Sequence, residues 1–231
     1  MTSRYFTRSS FEFLKELDAN NEKTWWEANK DRYLRDIREP ALDFIVDFGR
    51  HLTDISPHFT ADARSQGGSL MRPYRDMRFS KGLPYKTNVG IHFRHEQARD
   101  VHAPGFYLHI EPGQNFAGAG MWHPETKLAG QIRQAIYDDP DGWAGAAHGT
   151  RFTSTWEVAG HDDDRLKNVP KELDGADHPY PDDLRLRSFS TGTRLTQKTV
   201  TSTSLPADLA KTFKLAAPYT RFICEAIGVP F

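Results

Sequence analysis

Arg72, Arg75, Arg78, Lys81 and Lys86 put five cations between Arg72 and Thr87, with Asp76 as the one acid and Tyr74, Phe79 and Tyr85 as three rings. Guanidinium forks bind carboxylates or phosphates through paired hydrogen bonds, and an acid among them can orient one fork while the others stay free. The stretch therefore reads as a pocket for a small anionic ligand bearing phosphate, sulfate or carboxylate, built from Arg72, Arg75, Asp76, Arg78, Tyr85 and Lys86. On a helical or turn-like backbone the three arginines share a face, whereas on an extended strand Arg72 and Arg78 share one and Arg75 opposes them. An alternative has Asp76 tie Arg75 or Arg78 into a network that staples a tight turn, with function in partner binding through exposed aromatic surface. No phosphate loop of the Gly-x-x-x-x-Gly-Lys-Ser/Thr type occurs.

His109 and Glu111 are two apart and share a face if they lie on a strand, and His92 falls on the run expected beside them. Two histidines and a carboxylate suit a divalent metal enzyme, so His92, His109 and Glu111 form an alternative site. The plainer role has Glu111 accept hydrogen bonds from the arginines, which joins the two segments without a metal. In a reaction, His109 or Glu111 would be the base and the arginines would stabilise developing negative charge; whether the protein is an enzyme is left open. Trp122 and His123 follow Gly118-Ala119-Gly120, where glycine gives room either to a ligand or to a neighbouring ring. Tyr74, Phe79 and Tyr85 could stack bases of single-stranded nucleic acid. The run Asp162-Asp163-Asp164 lacks calcium-loop spacing and reads as a solvated turn.

The basic stretch, together with Gly105 to Gly113 and Gly118 to Pro124, resembles an uncharacterised family, domain of unknown function 2461. The resemblance begins at Phe11-Glu12-Phe13-Leu14, passes through Asn20-Asn21 and Trp25-Trp26, and ends near Pro218-Tyr219-Thr220-Arg221-Phe222. Its most specific pattern, Arg-x-x-Arg-Asp-x-Arg-Phe followed by a Lys and a Tyr, falls on Arg72, Arg75, Asp76, Arg78, Phe79 and Tyr85. Between Phe79 and Tyr85 this chain is a residue shorter than the family pattern, with Lys81 or Lys86 to replace the family's lysine. The resemblance implies a common site and no established activity.

At 231 residues and 38% hydrophobic content, the chain can bury a full core and fits one domain over residues 1–231. A formal net charge of −1 supplies no field for a polyanion, which makes nucleic acid an improbable partner. Cys224 is the only cysteine, which excludes an intrachain disulfide or a multi-cysteine zinc site and points to a reducing cytoplasm. It falls on an apolar helical pattern, and no Gly-x-Ser-x-Gly elbow supports acyl-enzyme chemistry. Residues 1–10 lack the apolar core of a signal peptide, and no run is long enough to span a membrane. No motif assigns a cofactor or an oligomeric state.

Period-3.6 spacing places a first helix after Ser9-Ser10-Phe11-Glu12 and a long second one, capped by Asn20, from Trp26 to Ile55, with Pro40 kinking it. Thr87 to Phe93, Gly105 to Ile110 and Phe116 to Trp122 read as antiparallel strands, and Leu184 to Ser190 as another. A middle helix follows Pro124-Glu125, a short one is possible at Trp143 to His148, and a closing helix capped by Ser204 carries Leu205, Leu209, Phe213, Ala216, Ile223 and Ile227. Together these give an α+β fold: a mostly antiparallel central sheet flanked by N-terminal helices, a middle helix and a C-terminal helix.

Overall fold

The computed structural model describes residues 4–64, 66–76, 82–97, 102–158, 164–173 and 177–231. Helix α1 (Arg8–Ala19) begins earlier than the Ser9-to-Glu12 signal suggests: Thr7 is its N-cap, and the Thr7 N–H donates to Ser10 Oγ at 3.0 Å. Asn20 closes this helix, and Glu22 is the N-cap of α2 (Lys23–Tyr33). From α2 the chain continues through a π-helical turn, Leu34–Arg38, into α3 (Glu39–Thr53) with no break. Pro40 has no N–H for the Asp36 carbonyl; the helix widens to π spacing just before it, and the buried Ser10 hydroxyl donates to that carbonyl at 2.7 Å. The kink expected at Pro40 is thus absorbed by a change of helical pitch and a borrowed donor.

Six strands form an antiparallel sheet in the order β1 (Phe59–Thr60), β2 (Val89–His95), β3 (Gly105–Ile110), β4 (Phe116–Met121), β6 (Phe189–Arg194) and β5 (Glu157–Val158). The strand expected over 184–190 is displaced: Asp183–Arg185 is a 3-10 turn, and pairing with β4 begins only at Phe189. Helix α4 (Thr126–Asp138) is the expected middle helix; α5 (Pro140–Trp143), the π-helical turn Ala144–His148 and α6 (Thr150–Thr153) follow, and α7 (Gln197–Val200) precedes the closing helix α8 (Leu205–Ala226). Ser204 sits at the N-cap of α8 without a side-chain cap bond, its hydroxyl donating instead to Asp208 Oδ2 at 2.6 Å.

Alternation along the strands separates two faces. Ile91, Phe93, Phe106, Leu108, Ala117 and Ala119 point into the core, where Phe93 meets Phe48 and Phe106 meets Phe213 of α8. Gly120, at φ +99°, sits where an added Cβ would run into the Phe189 carbonyl and the Tyr219 ring, so this glycine gives room to a neighbouring backbone and ring. Cys224 is buried in α8 with its thiol pushed up to about 12 by burial, which fits core packing and not a nucleophile. Gly90, His92, Tyr107, His109 and Phe116 belong to the opposite face, linked by ring contacts from His92 to Tyr107 to Phe116 to His109. No helix among the described residues is long and apolar enough to cross a membrane.

Candidate functional site

In its described parts, 72–76 and 82–87, the basic stretch is paired as a short ribbon and is not helical. Tyr74 and Tyr85 form an antiparallel bridge, flanked by Arg75 N–H to the Pro84 carbonyl at 2.9 Å and Lys86 N–H to the Pro73 carbonyl at 2.7 Å. Buried Asn21 completes this pairing as a strand would: its amide accepts from the Tyr85 N–H and donates to the Tyr85 carbonyl, both at 3.0 Å. An amide carries both a donor and an acceptor, which is why an asparagine can stand in for a neighbouring backbone.

That pairing commits Tyr85 to the core. The residue is 4% exposed and its ring stacks on Trp26 at 4.4 Å with planes 12° apart, so the ring expected from sequence as a ligand contact packs as a support of the site. Burial, reinforced by Tyr74 and Glu27, raises its phenol above the usual range. Tyr74 packs on both rings, which takes two of the three rings considered for base stacking into one cluster. Phe79 and Arg78 lie outside the described residues.

The cations behave differently. Arg72 and Arg75 are exposed, while Lys86 is partly buried beside them along a crevice walled by Trp26, Leu70, Met71 and Val89. Arg75 Nε donates to the Tyr85 carbonyl at 3.0 Å, a tie across the turn other than the one to Asp76 that the stapling alternative describes. None of Arg72, Arg75 and Lys86 forms an ion pair among the described residues, and the side chains of Arg72 and Lys86 form no hydrogen bond there either. Burial lowers the Lys86 pKa, and the charges of Arg72 and Arg75 push it further down. Asp76 is exposed on the same stretch.

Thr87 and Asn88 carry the chain from Lys86 to the second predicted group. The Thr87 hydroxyl donates to Glu111 Oε1 at 3.3 Å, and the Asn88 amide lies 3.5 Å from His109 Nδ1. His109 Nε2 lies 3.0 Å from Glu111 Oε2, and Tyr107 Oη lies 3.2 Å from His109 Nδ1. With Nε2–H donating to the carboxylate, Nδ1 accepts the phenolic proton, so Tyr107, His109 and Glu111 form one directed chain. Burial, aided by Glu111, pushes the Tyr107 phenol up to about 12, so it stays a donor. Glu111 thus takes its described side-chain partners from Thr87 and His109, not from the arginines as expected.

The metal alternative does not assemble. His92 pairs across the sheet with Tyr107, not with His109, and among the described residues no three His, Cys, Asp or Glu side chains gather closely enough to hold an ion. Burial, with the charge of Arg94, pushes the His92 pKa down to about 4, and its Nδ1 is buried with no partner among the described residues. The missing Cβ of Gly105 leaves the imidazole its space, as that of Gly90 does for the Tyr107 hydroxyl, which a Cβ would approach to 2.6 Å. Trp122, half-exposed, stacks with His102 at 5.6 Å. Asp162 and Asp163 lie outside the described residues, and Asp164 pairs with Arg187 at 3.2 Å.

Sequence reasoning missed a third group. Buried Asp183 accepts from the Trp143 indole N–H at 2.7 Å and lies 2.6 Å from His148 Nε2 with the same oxygen, while the His148 ring stacks on Tyr180 at 4.4 Å. His148, Tyr180 and Asp183 border an open cleft of about 510 Å³ that also meets Trp156, Glu157 and Arg165. The only signal was the apolar turn around Trp143; nothing local pairs it with an aspartate 40 residues later.

No curated protein and no solved structure matches the chain. The family model described as a conserved hypothetical protein, domain of unknown function 2461, matches residues 9–222 and so takes in the basic stretch, the Tyr107–His109–Glu111 chain and Asp183; the protein belongs to that family.

Proposed function

We propose that this protein binds a small anion, a carboxylate or phosphate compound, against Arg72, Arg75 and Lys86. The carrying observation is that Arg72 and Arg75 are exposed and Lys86 partly buried on the two sides of the Tyr74–Tyr85 bridge, and that none of the three forms an ion pair among the described residues. Like charges held together raise the energy of the unliganded protein, and an oxyanion in the crevice mouth relieves the repulsion while taking paired hydrogen bonds from the guanidiniums. The arrangement suits a compact anion and not a nucleic-acid strand, because the Tyr85 ring is packed on Trp26.

A second reading is favoured at Arg75 alone. Its bond to the Tyr85 carbonyl makes it part of the staple that joins Tyr74 to Tyr85. Thermal unfolding with added phosphate, citrate and pyruvate separates the two roles. Binding to the folded state raises the midpoint with ligand concentration. The expected result is a shift in the wild type that Arg72→Ala removes without lowering its unliganded midpoint. A wild type indifferent to all three anions, with Arg72→Ala merely less stable, overturns the anion reading and leaves the staple.

A further inference from the structure

The cleft beside Asp183 is lined by none of the residues proposed for the anion site, and its wall carries a carboxylate–imidazole pair. His148 closes the π-helical turn with a partly exposed side chain, and its Nε2 lies 2.6 Å from Oδ2 of the buried Asp183. Further contacts fix both partners. The Trp143 indole N–H donates to the same carboxylate oxygen at 2.7 Å, and the His148 ring stacks on Tyr180 at 4.4 Å with planes 11° apart. Tyr180 is tied in turn to the aspartate, because its carbonyl accepts from the Asp183 N–H at 3.2 Å. A carboxylate beside Nε2 keeps the proton on that nitrogen, so Nδ1 carries the lone pair, and no described residue donates to it. At about 510 Å³, the cleft that His148, Asp183 and Tyr180 border has room for a small molecule.

We propose that His148 acts in this cleft as a general base that activates water for the hydrolysis of a small uncharged ester. The lining residues narrow the chemistry. Thr153, the aliphatic hydroxyl of the described lining, donates to the Gly149 carbonyl at 3.3 Å, and the chain's only cysteine is buried in α8, so the nucleophile comes from solvent. Glu157 and Asp182 put carboxylates on the rim, which disfavours a phosphate or carboxylate substrate. Arg165 brings positive charge to the same wall: its Nη1 donates at 2.7 Å to the carbonyl of Asp182, the residue before Asp183. A cation there offsets the negative charge that develops on a carbonyl oxygen under attack. His148 Nδ1 takes a proton from water as the water oxygen adds to the ester carbon. The tetrahedral adduct then expels its alkoxide, which takes that proton back from Nδ1. Ester and water become acid and alcohol, and no oxidant or reductant is consumed. Asp183 is a positioning residue: it holds the ring in the tautomer that leaves Nδ1 basic.

The test is release of nitrophenolate from p-nitrophenyl acetate, and from p-nitrophenyl phosphate, by the full chain in H2O and in D2O. The expected result with the acetate is saturable turnover past one equivalent, about a hundredfold faster than in His148→Gln, slower in D2O and lowered by Arg165→Ala. The phosphate ester should release nothing. Asp183→Asn still accepts from Trp143 but turns an amide donor toward Nε2, which moves the ring proton onto Nδ1; folded by its unfolding midpoint, it should lose the activity as His148→Gln does. Equal rates for the wild type and His148→Gln overturn the inference. So does a burst that stops at one equivalent, or a rate that is the same in D2O, since either marks a side chain attacking the ester itself. Faster release from the phosphate ester overturns the substrate class, and full activity in a folded Asp183→Asn overturns the positioning role. His148→Gln changes an exposed residue and leaves Trp143 paired with Asp183, so it decides the matter even where Asp183→Asn does not fold.

Discussion

Around Asp183 and around Lys86 the molecule handles charge in opposite ways. Asp183 is buried, and its carboxylate meets an indole N–H and an imidazole nitrogen, so its charge is met where it sits. Lys86 is partly buried with two cations near it and no described acceptor. A charge taken from water must be repaid by partners inside the protein, or it is driven toward its neutral form or toward a ligand. The first cluster therefore holds α5 and its π-helical extension to the 183–185 turn, while the second is the place where we propose that an anion binds.

The largest expected effect removes the satisfied side of that comparison. Asp183→Ala strands a buried indole N–H and frees His148, and should lower unfolding free energy by about 3 kcal/mol in urea titrations. A loss comparable to an exposed substitution would mean that the cluster is not a latch.

His92 sharpens the contrast because it is a base buried without a described partner for Nδ1. Its folded pKa, near 4, lies below the unfolded value of 6.5, so the unfolded chain binds the proton first as pH falls. Its contribution is complete above about pH 7 and is lost as pH falls through the window toward 4. Integrating the shift gives about 2 kcal/mol lost between pH 7.5 and pH 5. His92→Gln should flatten this part of the pH–stability curve; an unchanged acid limb would show that other groups dominate it.

A smaller effect belongs to Arg75, which serves both sides. Arg75→Ala removes one donor from a Tyr85 carbonyl that keeps Asn21, so a cost of about 1 kcal/mol is expected by thermal or urea unfolding. A much larger cost would place Arg75 wholly with the staple, and a gain in stability would place it wholly with the repelling cations.

Long periodic elements were legible: the apolar spacing of α3 and α8, and the alternating runs of β2, β3 and β4, each carry their own period over several turns or residues. The strand placed at 184–190 failed because Leu184, Leu186 and Phe189 are all buried, so their apolar character marked the core and not a ladder. The cap of α1 failed because Thr7 and Ser9 offer the same chemistry two residues apart. At the candidate site, residue types were legible but partners were not. His109 and Glu111 follow from a strand period, whereas the roles of Thr87 and Asn88 depend on the register that sets Val89 opposite Ile110. Tyr85 read as a ligand contact because it stands beside Lys86 after Pro84; that its ring stacks on Trp26 and its backbone pairs with Asn21, some 60 residues earlier, has no local signal.

The most direct test of the account is the unfolding midpoint of Lys86→Met beside the wild type, each measured with and without phosphate. Removing an unpaired, partly buried charge next to two arginines should raise stability by about 1 kcal/mol without phosphate and abolish or sharply reduce the phosphate response, while the wild type gains with ligand. A Lys86→Met protein that is less stable than the wild type in both conditions, or one that responds to phosphate as the wild type does, would contradict the claim that this cluster awaits an anion.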